Sequence, residues 1–399
     1  MEHSRRLFLQ ALAATAAVRP LAAQPGDPLG VRPEFPAAAE RLYLNSAYIA
    51  PVPRAVAAAG RAFVDAKMER PISLGEMQRA ADRVRAQYAA LIGASPDEIA
   101  FLYSTSEGEN IVARGLGLKS GDNVVVDELH YNTTFVLYRE LERTLGIELR
   151  IVKARDGAVD ASDFARHVDR RTRLVSVAWV SHQNGFRHDM RPIADLAHAH
   201  GAYCYVDAVQ AVGMFPIDVR DAGVDFMAAG TYKWLLASFG VAPFFIRRDL
   251  LDRIPLDRFG ALHVERELGD FRYEIYRSAK RFDYATPAFG PIYQLGAALS
   301  FLERVGVAAI ETHTVALADR LNRGLRDMGA RVVTPLGNRS SIVSFGVDPA
   351  RDAAAHFAKA GVDVSIREGG RQVRVSPALF NTVDDIDRFL ALSRDLVRG

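Results

Sequence analysis

Short, almost wholly apolar runs alternate along this chain with longer helical stretches, and this alternation restricts the fold more than any other feature. Residues 122–127, 174–180, 202–206, 225–229 and 241–246 each read as a strand. Runs lacking polar residues at alternate positions belong to strands buried on both faces. Between two of them, Asp189 stands at a helix start with Pro192 in the first turn, and Gly201 ends that helix after His200. Strands alternating with helices predict an α/β fold, a mostly parallel sheet of the seven-stranded type between helical layers. Such sheets bind ligands beyond the carboxyl ends of their strands. Polar residues follow the runs at 127–132, 181–185, 207–210 and 230–233.

The pattern changes near residue 290. Residues 294–305 and 310–328 show helical periodicity, followed by short strands near Val332, Val343 and Val373 and helices near Ala353 and over 385–396. The expected division is a large domain at 31–290 and a smaller α+β domain at 291–399, with the extended segment at 42–46 crossing back to the small domain. Residues 1–30 read differently. Arg5-Arg6-Leu7-Phe8-Leu9 precedes a short apolar stretch that ends in small residues, which resembles a twin-arginine export signal. That predicts a periplasmic or otherwise exported protein and the twin-arginine machinery as a partner, with a cytoplasmic location if the signal is not used.

Fifty Lys and Arg against 48 Asp and Glu leave a net charge of +2, so charge gives no argument for nucleic acid. The single cysteine, Cys204, excludes an internal disulfide and a cysteine-based metal cage. His198 and His200 are spaced to point apart on a helix, and no metal site is expected. No Gly-x-Ser-x-Gly elbow is present to support a cofactor-free hydrolase using His130 or His182.

Lys233 lies just past an apolar run, between Tyr232 and Trp234. Desolvation lowers a lysine's pKa and prepares the amine for Schiff-base chemistry. A surface lysine covering Trp234 is the plain alternative. Asp207 ends another apolar run, and a buried acid there needs a partner. A protonated pyridine nitrogen would supply one, and Gln210 could reach the ring's phenolic oxygen. The plain alternative for Asp207 is a cap on a helix starting at Ala208.

Val206-Asp207-Ala208-Val209-Gln210, followed by Gly230-Thr231-Tyr232-Lys233, resembles the class V aminotransferase family of fold-type I pyridoxal phosphate (PLP) enzymes. The resemblance spans about residues 40–395. It implies PLP as cofactor, Lys233 and Asp207 as catalytic residues and Gln210 against the ring. Ser104-Thr105-Ser106-Glu107-Gly108 matches the phosphate-binding turn, placing Thr105 and Ser106 on the phosphate at a helix N-terminus; without the family it reads equally as a capping box. The resemblance stacks His130 on the ring face and brings Thr231 and Tyr232 to the phosphate, Tyr232 replacing the histidine common there. Thr286 would reach the phosphate of a neighbouring subunit, which implies a homodimer, although Ala285 stands where the family has glycine. Arg374 would bind the substrate carboxylate, while Asn45, Ala47, His182 and Asn184 would line the substrate pocket.

The resemblance leaves the reaction open among transamination, epimerisation and β-elimination on an amino acid or amine. Desulfurases of the family carry a nucleophilic cysteine on the loop between small-domain strands. Here that loop reads Arg367-Glu368-Gly369-Gly370-Arg371, so a cysteine-dependent desulfurase is not expected. A binding or sensor protein that keeps the fold without turnover is the alternative class.

Overall fold

The structure, a computed structural model, describes residues 26–397. The arginine pair at 5–6 and the proposed export signal therefore lie outside the described residues, apart from the last few positions of the linker.

A seven-stranded sheet organises the larger part of the chain. Its strands are β1 (Ile99–Leu102), β2 (Asn123–Asp127), β3 (Glu148–Val152), β4 (Thr172–Ala178), β5 (Tyr203–Asp207), β6 (Phe226–Ala228) and β7 (Ala242–Ile246), in the spatial order β1-β7-β6-β5-β4-β2-β3. The five neighbours from β6 to β3 pair in parallel, whereas β7 runs antiparallel to both β6 and β1. β2, β6 and β7 are buried at every position, and β4 at all but one. Helices on both faces exclude water from both sides of these strands, which explains their uninterrupted apolar runs. One face packs with Val125, Val175, Cys204 and Phe245; the other packs with Val124, Leu174, Tyr205 and Phe244.

The parallel strands end together. Ala178 is level with Asp207, and Asp207 with Ala228. Helix α1 (Thr105–Gly115) aims its N-terminus at this edge, with Ser104 Oγ accepting from the Glu107 amide. A side chain at Gly108 would meet Ala228 Cβ at 2.9 Å, so glycine lets α1 sit directly on β6.

The C-terminal unit holds a three-stranded antiparallel sheet: β8 (Val343–Gly346), β9 (Ser365–Arg367) and β10 (Gln372–Val375), with β10 central. The sequence signal near Val332 is an isolated bridge to Phe345 rather than a strand. Leu42–Tyr43 pairs in parallel with Val362–Asp363, and Leu42 and Leu44 join the small-unit core with Leu321, Phe345, Phe357 and Phe389. The helix Phe289–Val305 contributes Leu295, Leu299 and Phe301 to the core that runs beneath the large sheet.

Candidate active site

A cavity opens at the carboxyl ends of β4, β5 and β6. Thr105, Ser106, Glu109, Tyr131, His182, Asp207, Gln210, Tyr232 and Lys233 are among its lining residues. It therefore collects the polar segments that follow the strands, in the crevice expected of a doubly wound sheet.

Lys233 is 8% exposed, and its side-chain amine makes no hydrogen bond among the described residues. Burial pulls its pKa down to about 8, with Asp207 opposing and Arg374 and Arg367 adding to the fall. An appreciable fraction of the amine is therefore unprotonated at mildly alkaline pH. Asp207 is 7% exposed, and burial raises its pKa against the pull of the Val209 amide and Lys233. Its Oδ1 accepts from the Val209 N–H at 3.0 Å. No helix follows: residues 208–211 form turns, so Asp207 closes a local turn instead of capping a helix. Its second oxygen has no protein partner among the described residues. Gln210 is held at both ends, donating to the Ala47 carbonyl and accepting from the Trp234 indole.

At the opposite wall, Thr105 and Ser106 occupy the first turn of α1. Amides there have no carbonyl partner within the helix and favour an anion. Thr105 Oγ1 also accepts from the Gly230 amide at 2.9 Å, which ties α1 to the segment carrying the lysine. Glu107 turns away from this turn: it accepts from the Tyr103 amide and pairs with Arg258. Tyr232 lines the cavity and stacks on Phe239 at 4.3 Å.

Several expected positions differ. Thr231 is fully buried, and its hydroxyl donates to the carbonyls of Ser238 and Val241, so it braces the loop and is not presented to a phosphate. Asn184 donates to the Gly157 carbonyl and accepts from the Phe186 amide, which leaves it as a brace for its loop rather than a substrate contact. Thr286 is exposed, and its carbonyl accepts from the Tyr103 hydroxyl. Asn45 bridges to Ser376 and accepts from Ser365, and the Ala47 amide is held by Ser376 Oγ, so both belong to the frame beside Arg374.

His130 is fully buried and does not line the cavity, where Tyr131 and His182 meet edge to face with centroids 4.9 Å apart. The Tyr131 amide donates to His130 Nδ1 at 2.7 Å, and Ser176 Oγ lies 3.2 Å from Nε2. Nδ1 is thus an acceptor, and the network places the ring proton on Nε2. Burial pushes the imidazole down to about 3, so it is neutral. Beneath it lies a residue the sequence reading missed. Glu109 accepts from Ser176 Oγ at 2.6 Å and from Thr134 Oγ1 at 2.8 Å, and burial lifts its carboxyl to about 7 against those hydroxyls. Its spacing was the available signal: Glu109 follows Thr105 by four residues and shares its helix face.

On the small unit, Arg374 is 2% exposed. Its Nη1 donates to the His182 carbonyl at 2.7 Å and its Nη2 to Ser365 Oγ at 3.0 Å. Burial and Arg367 push it down to about 9, leaving it cationic at neutral pH. Cys204 is fully buried within β5, where burial raises its thiol. No group of residues able to hold a metal ion occurs among the described residues.

A desolvated lysine, a buried carboxylate and a helix N-terminus around one cavity, with a cationic arm bonded to the carbonyl of its lining residue His182, suit a phosphorylated carbonyl cofactor. The lysine can bond its aldehyde, the carboxylate can face a cationic ring atom and the helix can take its phosphate. This donor set defines a PLP-type enzyme. The class-V aminotransferase family model matches residues 42–389. The chain belongs to that family and is a PLP-dependent enzyme. It is similar to a probable cysteine desulfurase of Methanothermobacter thermautotrophicus, 29% identical over 89% of this chain and 94% of the relative. An uncharacterized aminotransferase of Bacillus subtilis is also 29% identical, over 86% and 90%. Among solved structures, apo cysteine desulfurase from Thermococcus onnurineus superposes with a TM-score of 0.85 at 26% identity, covering 94% of this chain and 99% of that one. A cystine C–S lyase gives the same TM-score at 22% identity, covering 91% and 100%, and supports the fold alone.

These matches correct one expectation. The absence of cysteine from 367–371 led to the exclusion of cysteine-dependent desulfurases, yet proteins named cysteine desulfurases match almost the whole chain. One missing side chain in a short loop carries less information than similarity over most of both chains.

Proposed function

We propose that this chain is a PLP-dependent enzyme that removes sulfur from a cysteine-like α-amino acid. The convergence of buried Lys233 and Asp207 in one cavity carries the cofactor chemistry, and the names of its relatives support the reaction.

PLP, when bound, supplies an electron-withdrawing ring that stabilises negative charge at the substrate's α-carbon. The remaining work falls to side chains of this chain. Lys233, depressed to about 8, is the residue that would hold the cofactor's aldehyde, and its Nζ would serve as the base that accepts the substrate's α-proton. Asp207 has an unpartnered oxygen that would face the cofactor's ring nitrogen and favour its protonated form. The first turn of α1 anchors the phosphate through its amides and the Thr105 and Ser106 side chains. Arg374 orients the substrate carboxylate through two parallel N–H groups. The neutral, tethered His130 and the Glu109 network beneath it keep the cavity wall in one arrangement.

The active form in this reading is a homodimer. Tyr103 and Phe239 are exposed aromatic residues at the cavity, and Thr286 is exposed beside Tyr103. A second subunit would cover the aromatics and meet Thr286.

The test is to incubate PLP-loaded protein with L-cysteine. The expected result is release of sulfide, with pyruvate and ammonia formed in equal amounts, since β-elimination needs no external reductant and no accessible thiol and Cys204 is buried. Transamination of cysteine with no sulfur released would contradict the reaction assignment.

A further inference from the structure

Two arginines of the small unit lie side by side next to the cavity. β9 and β10 pair so that Arg367 is level with Gln372 and Ser365 with Arg374. Arg367 and Arg374 are thus diagonal neighbours on one face of the sheet. Both direct Nη1 to the same acceptor, the His182 carbonyl, at 3.5 and 2.7 Å. His182 itself lines the cavity. Each guanidinium keeps a buried Nε–H with no partner. Neither makes an ion pair among the described residues; Glu368, next in the chain, is the acid that bears on Arg367, and it is exposed.

A buried cation such as Arg374, with a half-buried one beside it, is costly unless something pairs with them. One carboxylate satisfies one planar guanidinium in a bidentate manner. The α-carboxylate of an amino acid therefore accounts for Arg374 and leaves Arg367 with no ion-pair contact, facing only the more distant charge of exposed Glu368. Lys233 adds positive character on the same side, whereas Asp207 is committed to the ring end of the cavity. The charge balance thus leaves room for a second negative group on the substrate.

We propose that Arg367 receives an anionic group on the substrate side chain, so the enzyme selects amino acids that carry two negative charges, one on the α-carboxylate and one at the side-chain end. The proposal rests on the reading that an α-amino acid occupies this cavity. The side-chain anion is either a thiolate or an oxyacid, and both fit a guanidinium.

Calorimetric titration of the PLP-loaded protein with succinate and with butyrate tests this without turnover. Succinate is expected to bind about ten-fold or more tightly than butyrate. Arg367→Gln should abolish the difference while leaving butyrate unaffected, and Arg367→Lys, which keeps the charge, should retain part of it. Far-ultraviolet circular dichroism checks the fold of each variant. Displacement of succinate by L-aspartate but not L-serine identifies an oxyacid; displacement by L-cysteine but not L-serine identifies a thiolate. Equal affinity for succinate and butyrate, an unchanged preference in Arg367→Gln, or L-serine displacing as well as the anionic amino acids would overturn the proposal. Selective succinate binding with no turnover of L-cysteine would instead defeat the reaction assignment and leave the anion site standing.

Discussion

The two walls of the cavity solve opposite electrostatic problems. On the large-sheet wall, Lys233 is balanced by Asp207, and Glu109 is buried among hydroxyls that satisfy it. On the small unit beside the cavity, Arg367 and Arg374 are held by neutral carbonyl and hydroxyl oxygens and have no ion-pair partner among the described residues. The first wall is complete enough to be stable and to set protonation states; the second is complete only when an anion arrives. A fold can thus place its chemistry on an element whose charges balance and its recognition on one whose charge a ligand completes.

The strongest way to break this contrast is Lys233→Ala. Turnover should fall by roughly a thousand-fold or more, because covalent attachment and proton transfer are lost together. Stability should hold, because a buried cation is removed. Steady-state kinetics and a melting curve check both. Asp207→Asn keeps a polar group at the site but loses the charge, and kcat should drop by roughly a hundred-fold with little change in KM. Arg374→Lys should do the reverse, raising KM about ten-fold because the planar fork is lost.

Glu109 separates the walls by pH. Its folded pKa, near 7, lies above the ordinary carboxyl value of 4.5, so the folded state holds the proton more tightly. Its contribution is most favourable below about 4.5 and is lost as pH rises through 7, on the order of 3 kcal/mol in all. Glu109→Gln should flatten the loss of apoprotein stability across that window, as read from melting temperature against pH. An equal slope in both proteins would remove Glu109 from the argument. The smallest effect is expected for Asn184→Ala, which strands the Gly157 carbonyl and the Phe186 amide. It should cost about 1–3 kcal/mol of stability and leave substrate preference unchanged, as denaturant melts and kcat/KM ratios would show.

The same contrast governs what could be read from the sequence. The large wall was legible because strands buried on both faces leave apolar runs, and the polar residues after them mark the binding edge. β1 was missed because its four residues are too few for periodicity, and β3 because Glu148 and Arg150 give an edge strand mixed polarity. The exposed hairpin of Val264–Gly269 and Arg272–Ile275 has no core face to leave a pattern. Thr231 was placed on the phosphate because sequence spacing cannot show that its hydroxyl turns inward to Ser238 and Val241. Glu109 resembled a solvated helix residue, and Arg367 stood in a loop noted only for its lack of cysteine. Its pairing with Arg374 emerges only from the register of β9 and β10.

The central claim is that Lys233 carries the cofactor, and borohydride reduction of the PLP-loaded protein followed by peptide mapping tests it most directly. The expected result is loss of the visible absorption band and a phosphopyridoxyl mass increment on the peptide containing Lys233, absent from Lys233→Ala. A mass increment on another lysine, or none in a protein saturated with PLP, would contradict the account.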